Sequence, residues 1–264
     1  MSRPFRRRRG LRAGLSILAV AVVLAAAAPG ARAAPAGPAV ARQVPSEAEN
    51  YVRWVYESLL FRAADPGGLA YWTGVVEASG PGPFVHYVAT SDEWRKAWVT
   101  AFYEFWLDRP VDAGALDYWT GYLASGGGFD GFECALGGSA EAYDLSGGTD
   151  DAYVEYVYTF SVFRSPTTDE RADALALLAS GTTNQLAGVL LLSDDGLESR
   201  VQIAYERTLA RDADLGGLAY WADFYRRTGS MHQMLAAQIL SPEAWERAQD
   251  TGAQPTELRS LTER

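Results

Sequence analysis

One arginine-centred phrase occurs four times along the 264 residues, at Arg62, Arg109, Arg164 and Arg211, and it limits the possible folds more than any bulk property. Six residues before each arginine stands a tyrosine (Tyr56, Tyr103, Tyr158, Tyr205), and ten before stands a valine (Val52, Val99, Val154, Val201). Two before stand Leu60, Leu107, Val162 and Leu209. Offsets of four and eight place these side chains on one stripe of an α-helix, which Val55, Phe102, Val157 and Ala204 widen. A recurrence of this length points to stacked copies of one helical unit, whereas a catalytic centre is normally a single irregular place.

The ends of the helices are marked as well. Ser46, Ser91, Ser193 and Ser241 each precede such a stripe with acids close behind, and Ser46 with Glu49 has the pattern of a full capping box. In the third copy Ser139 is followed by Gly147-Gly148, so the long helix is expected to restart at Thr149 or Asp150. After the arginine, Asp65, Asp112 or Asp214 is placed to cap a second helix, with Pro66 suited to a first helical position. The glycines that follow mark places where a backbone or ring lies too close for a side chain. Leu69, Trp72 and Val76, and again Leu116, Trp119 and Leu123, give this second helix its apolar face. A Gly-rich break and a short apolar helix then lead to the next serine. The expected fold is therefore all-α: a helical repeat array of four units of about 47 residues, each of two long helices and one short helix. The unit boundaries fall at about 46–90, 91–138, 139–192 and 193–250.

Residues 1–33 have the order of a secretory signal peptide: a basic head through Arg9, an apolar run from Ala13 to Ala28, and the small triplet Ala31-Arg32-Ala33. The run is shorter than the roughly 20 residues a membrane span needs. Arg8-Arg9 leaves the twin-arginine route open beside the general secretory one. Cleavage after Ala33 removes seven of the 23 basic residues and no acid, leaving 16 basic residues against 33 acids and a charge of −17. Such a surface repels phosphate backbones and anionic lipid, so neither nucleic acid nor a membrane surface is an expected partner, and the mature form has no expected span. Residues 34–45 read as a linker and 251–264 as a disordered tail.

With the units in register, Tyr-x-x-Leu, the arginine, the aspartate, Gly-Leu-x-Tyr-Trp and the later Ser-x-Glu form one long pattern. The first unit carries it as Tyr56, Leu59, Arg62, Asp65, Gly68, Leu69, Tyr71, Trp72, Ser91 and Glu93. The fourth carries it as Tyr205, Leu209, Arg211, Asp214, Gly217, Leu218, Tyr220, Trp221, Ser241 and Glu243. The pattern resembles the bacterial domain-of-unknown-function family 4214 over about residues 46–250. The third unit departs from it, with Thr167 for the aspartate and Asp173-Ala174 for Tyr-Trp. The resemblance implies secreted or surface-associated helical modules, often in tandem, and brings no established activity.

Trp72, Trp119 and Trp221 are expected to fill equivalent core positions, while Tyr71, Tyr118 and Tyr220 sit one residue off the stripe and reach a rim, where they are the candidate binding residues. Arg62 with Asp65, Arg109 with Asp112 and Arg211 with Asp214 read as intramolecular braces near helix C-termini. Cys134 is the single cysteine and reads as a small buried hydrophobe. His86 and His232, the two histidines, lack a partner at ligand spacing, and Asp212-Ala-Asp214 lacks the later ligands of a calcium loop. No catalytic residue, cofactor or metal ligand stands out. These features lead to a secreted, non-enzymatic binding or scaffold module for protein or cell-envelope glycan, free in the medium or held at the cell surface. The alternative is a secreted hydrolase of cell-wall polysaccharide whose acid and base lie among the unassigned Asp and Glu residues.

Overall fold

The computed structural model describes residues 45–250, 253–255, 257 and 258; the leader 1–33 and all of the linker except Pro45 lie outside the described residues. The described chain folds into fourteen α-helices and, among the described residues, no strand. In chain order they are α1 (Glu47–Leu60), α2 (Pro66–Ser79), α3 (Gly82–Thr90), α4 (Asp92–Leu107), α5 (Ala113–Ala124), α6 (Phe129–Gly137) and α7 (Ala140–Ser146). There follow α8 (Asp150–Val162), α9 (Thr168–Ser180), α10 (Thr183–Leu191), α11 (Asp194–Thr208), α12 (Leu215–Thr228), α13 (Met231–Ile239) and α14 (Pro242–Gln249). None of these helices is long and apolar enough to cross a membrane.

Side-chain oxygens set most of the starts. Ser46, Ser91, Ser139, Thr149, Ser193 and Ser241 cap α1, α4, α7, α8, α11 and α14, each accepting the N–H three residues on. Asp65, Asp112 and Asp214 do the same for α2, α5 and α12 at 2.8, 2.9 and 2.9 Å. The capping box expected at Ser46 and Glu49 is only half formed, because the Glu49 carboxylate turns outward to Arg53 Nη2 at 2.6 Å. Complete boxes stand instead at Thr167 with Glu170 and at Thr182 with Gln185.

The four long helices α1, α4, α8 and α11 pack around one another, and their apolar stripes form the core. Val52, Val99, Val154 and Val201 are all fully buried. Helix α1 touches α4, α11 and α14, and α11 touches α8. Helices α4 and α8 meet through Phe105 and Phe160, with ring centres 5.2 Å apart. The short helices add Phe84, Phe132, Leu186 and Met234 to the same core and pair across, α3 on α13 and α6 on α10. The α6–α10 approach is close enough that a Cβ on Gly138 would lie 2.4 Å from Asn184 Cα.

The helical body closes on itself. Helix α14 returns to α1, where Trp245 stacks on Tyr51 with ring centres 4.8 Å apart. Gln249 accepts a hydrogen bond from Asn50 and donates one to Glu47 O, both at 3.2 Å. Of the segment 251–264, Leu258 is buried at 5% exposure and Ala253 packs against the core.

Aromatic donors from one long helix cap the open carbonyls at the end of another. Trp98 Nε1 in α4 donates to Leu59 O in α1, and Trp54 Nε1 in α1 donates to Thr208 O in α11, both at 3.0 Å. Tyr156 in α8 donates to Trp106 O in α4. A helix leaves its last carbonyls without internal partners, and here the neighbouring helix supplies them.

Each long helix also ends in the same backbone state. Phe61, Asp108, Phe163 and Ala210, the residues just before the four arginines, adopt left-handed φ values of 56, 52, 55 and 49°. For a residue with a Cβ this costs about 1–2 kcal/mol, partly offset in glycine by its greater unfolded freedom. Substitution Ala210→Gly is therefore expected to raise unfolding free energy by about 0.5 kcal/mol, and Ala210→Val to lower it by about 1–2 kcal/mol, in urea melts.

Candidate functional site

The recurring arginine sits where the left-handed residue turns the chain out of the long helix, and its guanidinium meets three partners. It covers the tyrosine ring six residues earlier, at 4.8 Å for Arg62 on Tyr56, 5.2 Å for Arg109 on Tyr103, 5.9 Å for Arg164 on Tyr158 and 4.9 Å for Arg211 on Tyr205. It donates to the carbonyl of the very next residue in all four places. It then pairs with the acid two residues beyond a later capping serine. Arg62 reaches Glu93 at 2.5 Å, Arg109 reaches Glu141 at 2.5 Å, Arg211 reaches Glu243 at 2.5 Å, and Arg164 reaches Asp195.

The expected pairs Arg62–Asp65, Arg109–Asp112 and Arg211–Asp214 are present as ion pairs at 3.9, 4.0 and 3.6 Å; the aspartates also cap the next helix, and each arginine has a closer acid about thirty residues downstream. In the third copy Thr167 replaces the capping aspartate, and Arg164 takes Glu170 at 2.7 Å as a second acid. Arginine hydrogen bonds hold the Glu141 and Glu243 carboxyls below their usual range and bring Glu170 down to about 2. The Gly68 and Gly217 backbone N–H groups do likewise for Asp65 and Asp214.

Beside each clamp in the first, second and fourth copies stands the Tyr-Trp pair. Trp72, Trp119 and Trp221 are half-buried, with Trp72 lying 4.9 Å from Phe84 and Trp119 5.0 Å from Phe132. They lean on the core edge without being enclosed by it; the fully enclosed indoles are Trp98 and Trp106. Trp119 Nε1 donates to Tyr103 Oη at 3.2 Å. The expected tight glycines are found here, since a Cβ on Gly68 or Gly217 would meet the Tyr56 or Tyr205 hydroxyl at 2.6 or 2.1 Å. Tyr71, Tyr118 and Tyr220 are 64, 64 and 59% exposed, each set edge-on to its tryptophan with centres 4.9, 4.9 and 5.0 Å apart.

One further constellation breaks the recurrence. Eleven residues before the arginines stand Tyr51, Trp98 and Tyr153, all buried, but Arg200 in the fourth copy. Arg200 is buried and donates to Glu133 through Nε at 2.8 Å and Nη2 at 2.6 Å. Its Nη1 lies 2.8 Å from Asp130 Oδ1, which also accepts the Tyr225 hydroxyl at 2.5 Å. Desolvation pushes the Glu133 carboxyl up, with Arg200 opposing, and burial pushes the neighbouring half-buried Cys134 thiol up to about 11. A basic residue at an otherwise aromatic register position was the sequence signal for this cluster. Elsewhere, Asp212 accepts from Gln202 at 2.8 Å, and among the described residues no group of three potential metal ligands converges.

Because the clamp and cap carboxyls have lowered values in the folded state, the unfolded chain takes up protons first. Their stabilisation is present at neutral pH and is lost as pH falls from about 4.5 toward about 2. Urea midpoints should drop across that interval, and Arg211→Gln should make the drop shallower. At the buried cluster, Glu133→Leu should cost about 3–5 kcal/mol, whereas Glu133→Leu combined with Arg200→Met should recover most of the loss in the same melts.

No protein-family model, curated protein or solved structure matches this chain.

Proposed function

We infer that the protein is a secreted, non-enzymatic array of four helical units of about 47 residues, of the kind its resemblance to family 4214 implies, and that it binds polymeric cell-envelope glycan. The observation that carries this reading is the threefold presentation of an exposed tyrosine edge-on to a half-buried tryptophan, at Tyr71, Tyr118 and Tyr220. An aromatic ring held this way offers an apolar face to the C–H surface of a sugar while its hydroxyl stays wet. The three rings stand on different helices, α2, α5 and α12, so a chain of repeating sugars gains by engaging more than one at a time.

A hydrolase has less support. The carboxyl raised by burial, Glu133, is clamped by Arg200 and lines neither the cavity at Arg207 nor the one at His232. Retention of the purified protein on insoluble envelope glycan tests the binding reading. Each single Tyr→Ala change should weaken retention about 3–10-fold, and the triple change at least about 100-fold, with the melting curve unchanged. Equal retention of the triple variant, or release of soluble sugar, would overturn the proposal.

A further inference from the structure

A cavity of about 750 Å³ lies at the C-terminal ends of α1 and α4, with none of Tyr71, Tyr118 and Tyr220 in its lining. Phe61, Ala101 and Phe105 give it an apolar lining, and Arg62, Arg109 and Arg207 bring positive charge. Glu57, Glu104 and Asp108 also face it. Arg207 is the enclosed member, only 3% exposed, with its guanidinium 4.1 Å over the Phe61 ring. It donates through Nε to Ser58 O at 3.1 Å and through Nη2 to Ser58 O at 2.9 Å and to Glu57 O. In the register of the other arginine phrases this position holds Ser58, Phe105 and Phe160, so a buried cation is peculiar to α11.

The remaining wall comes from the end of the chain: Gln254, Pro255, Glu257 and Leu258. Leu258 is buried, and Glu257, exposed to solvent, lines the same cavity as Arg207. A buried guanidinium is costly without an opposing charge, and here that charge arrives on a segment beyond the last long element of the fold. Carboxylate and aliphatic side chain are adjacent residues, which is the chemistry of a short linear peptide entering a pocket with one charged and one apolar subsite.

We propose that the cavity wall carrying Phe61 and Arg207 is a docking site for an acidic peptide segment, a carboxylate followed by an aliphatic side chain, and that the chain's own Glu257-Leu258 packs beside that wall as an internal competitor. A partner's segment enters by displacing the tail. The tail begins just after α14, so its local concentration is on the order of millimolar, and an external peptide of moderate affinity competes poorly while it is in place.

The test uses the purified full chain and a fluorescent peptide of residues 251–264 as probe, followed by anisotropy. A variant carrying Glu257→Gln and Leu258→Ser, changes confined to the tail, weakens the internal competitor. It should bind the probe at least about tenfold more tightly than the unaltered chain. A probe carrying the same two changes should bind that variant at least about tenfold more weakly than the natural probe. Equal binding of the natural probe to both proteins, including no binding to either, overturns the proposal, as does equal binding of the two probes to the variant. The readout is independent of the tyrosines, so it stands apart from any result with glycan.

Discussion

A guanidinium laid over a tyrosine ring and closed by a distant carboxylate is the contact on which the other features depend. Each of the four arginines ties three things together: the ring inside its own long helix, the backbone just past that helix, and the first turn of a long or capping helix about thirty residues later. Exposed ion pairs are individually weak, since solvent screens them and ordering two long side chains has an entropic cost. The Arg109–Glu141 and Arg211–Glu243 pairs gain from bidentate geometry, and all four arginines lie over a ring that fixes the guanidinium plane. Their larger effect is on direction. They set where the chain turns after each long helix, and the aspartate cap of the following helix, the glycine beneath the tyrosine hydroxyl and the Tyr-Trp pair all follow from that turn.

The interior works by a different rule. Trp54, Trp98 and Tyr156 use apolar bulk to fill the core and a single polar atom to finish a neighbouring helix. One residue thus answers two needs, burial of surface and satisfaction of an orphan carbonyl. Arg207 meets the second need with a guanidinium, taking carbonyls in the last turn of α1, whereas Arg200 pairs with the Glu133 and Asp130 carboxylates of α6. Both arginines lie in α11, the helix that touches α1 on one side and α8 on the other. The charged side chains are concentrated where the helical body is joined up.

Much of this was legible in the residues. The stripe Val52, Tyr56, Leu60 and its later copies announced the long helices, and serine, threonine and aspartate marked their starts to within a residue. The clamp acids were in plain view as Ser-x-Glu, but pairing them with arginines about thirty residues earlier requires knowing which helix ends are neighbours. Local spacing therefore suggested Asp65, Asp112 and Asp214 as the closer partners. Half-burial of Trp72, Trp119 and Trp221 was hidden for a similar reason: periodicity tells which face a residue occupies and leaves open how much lies on top of it. Arg200 was detectable only by comparing the same register position across copies.

The meeting of α14 with α1 bears on how a chain of this kind can change in length. An open stack of helices lengthens by duplication, because a new copy simply docks on the last one. Here Trp245 already rests on Tyr51, and Gln249 is bonded to Glu47 and Asn50. A further helix docking on that face of α1 would have to prise these contacts apart, so the face is closed to end-to-end extension.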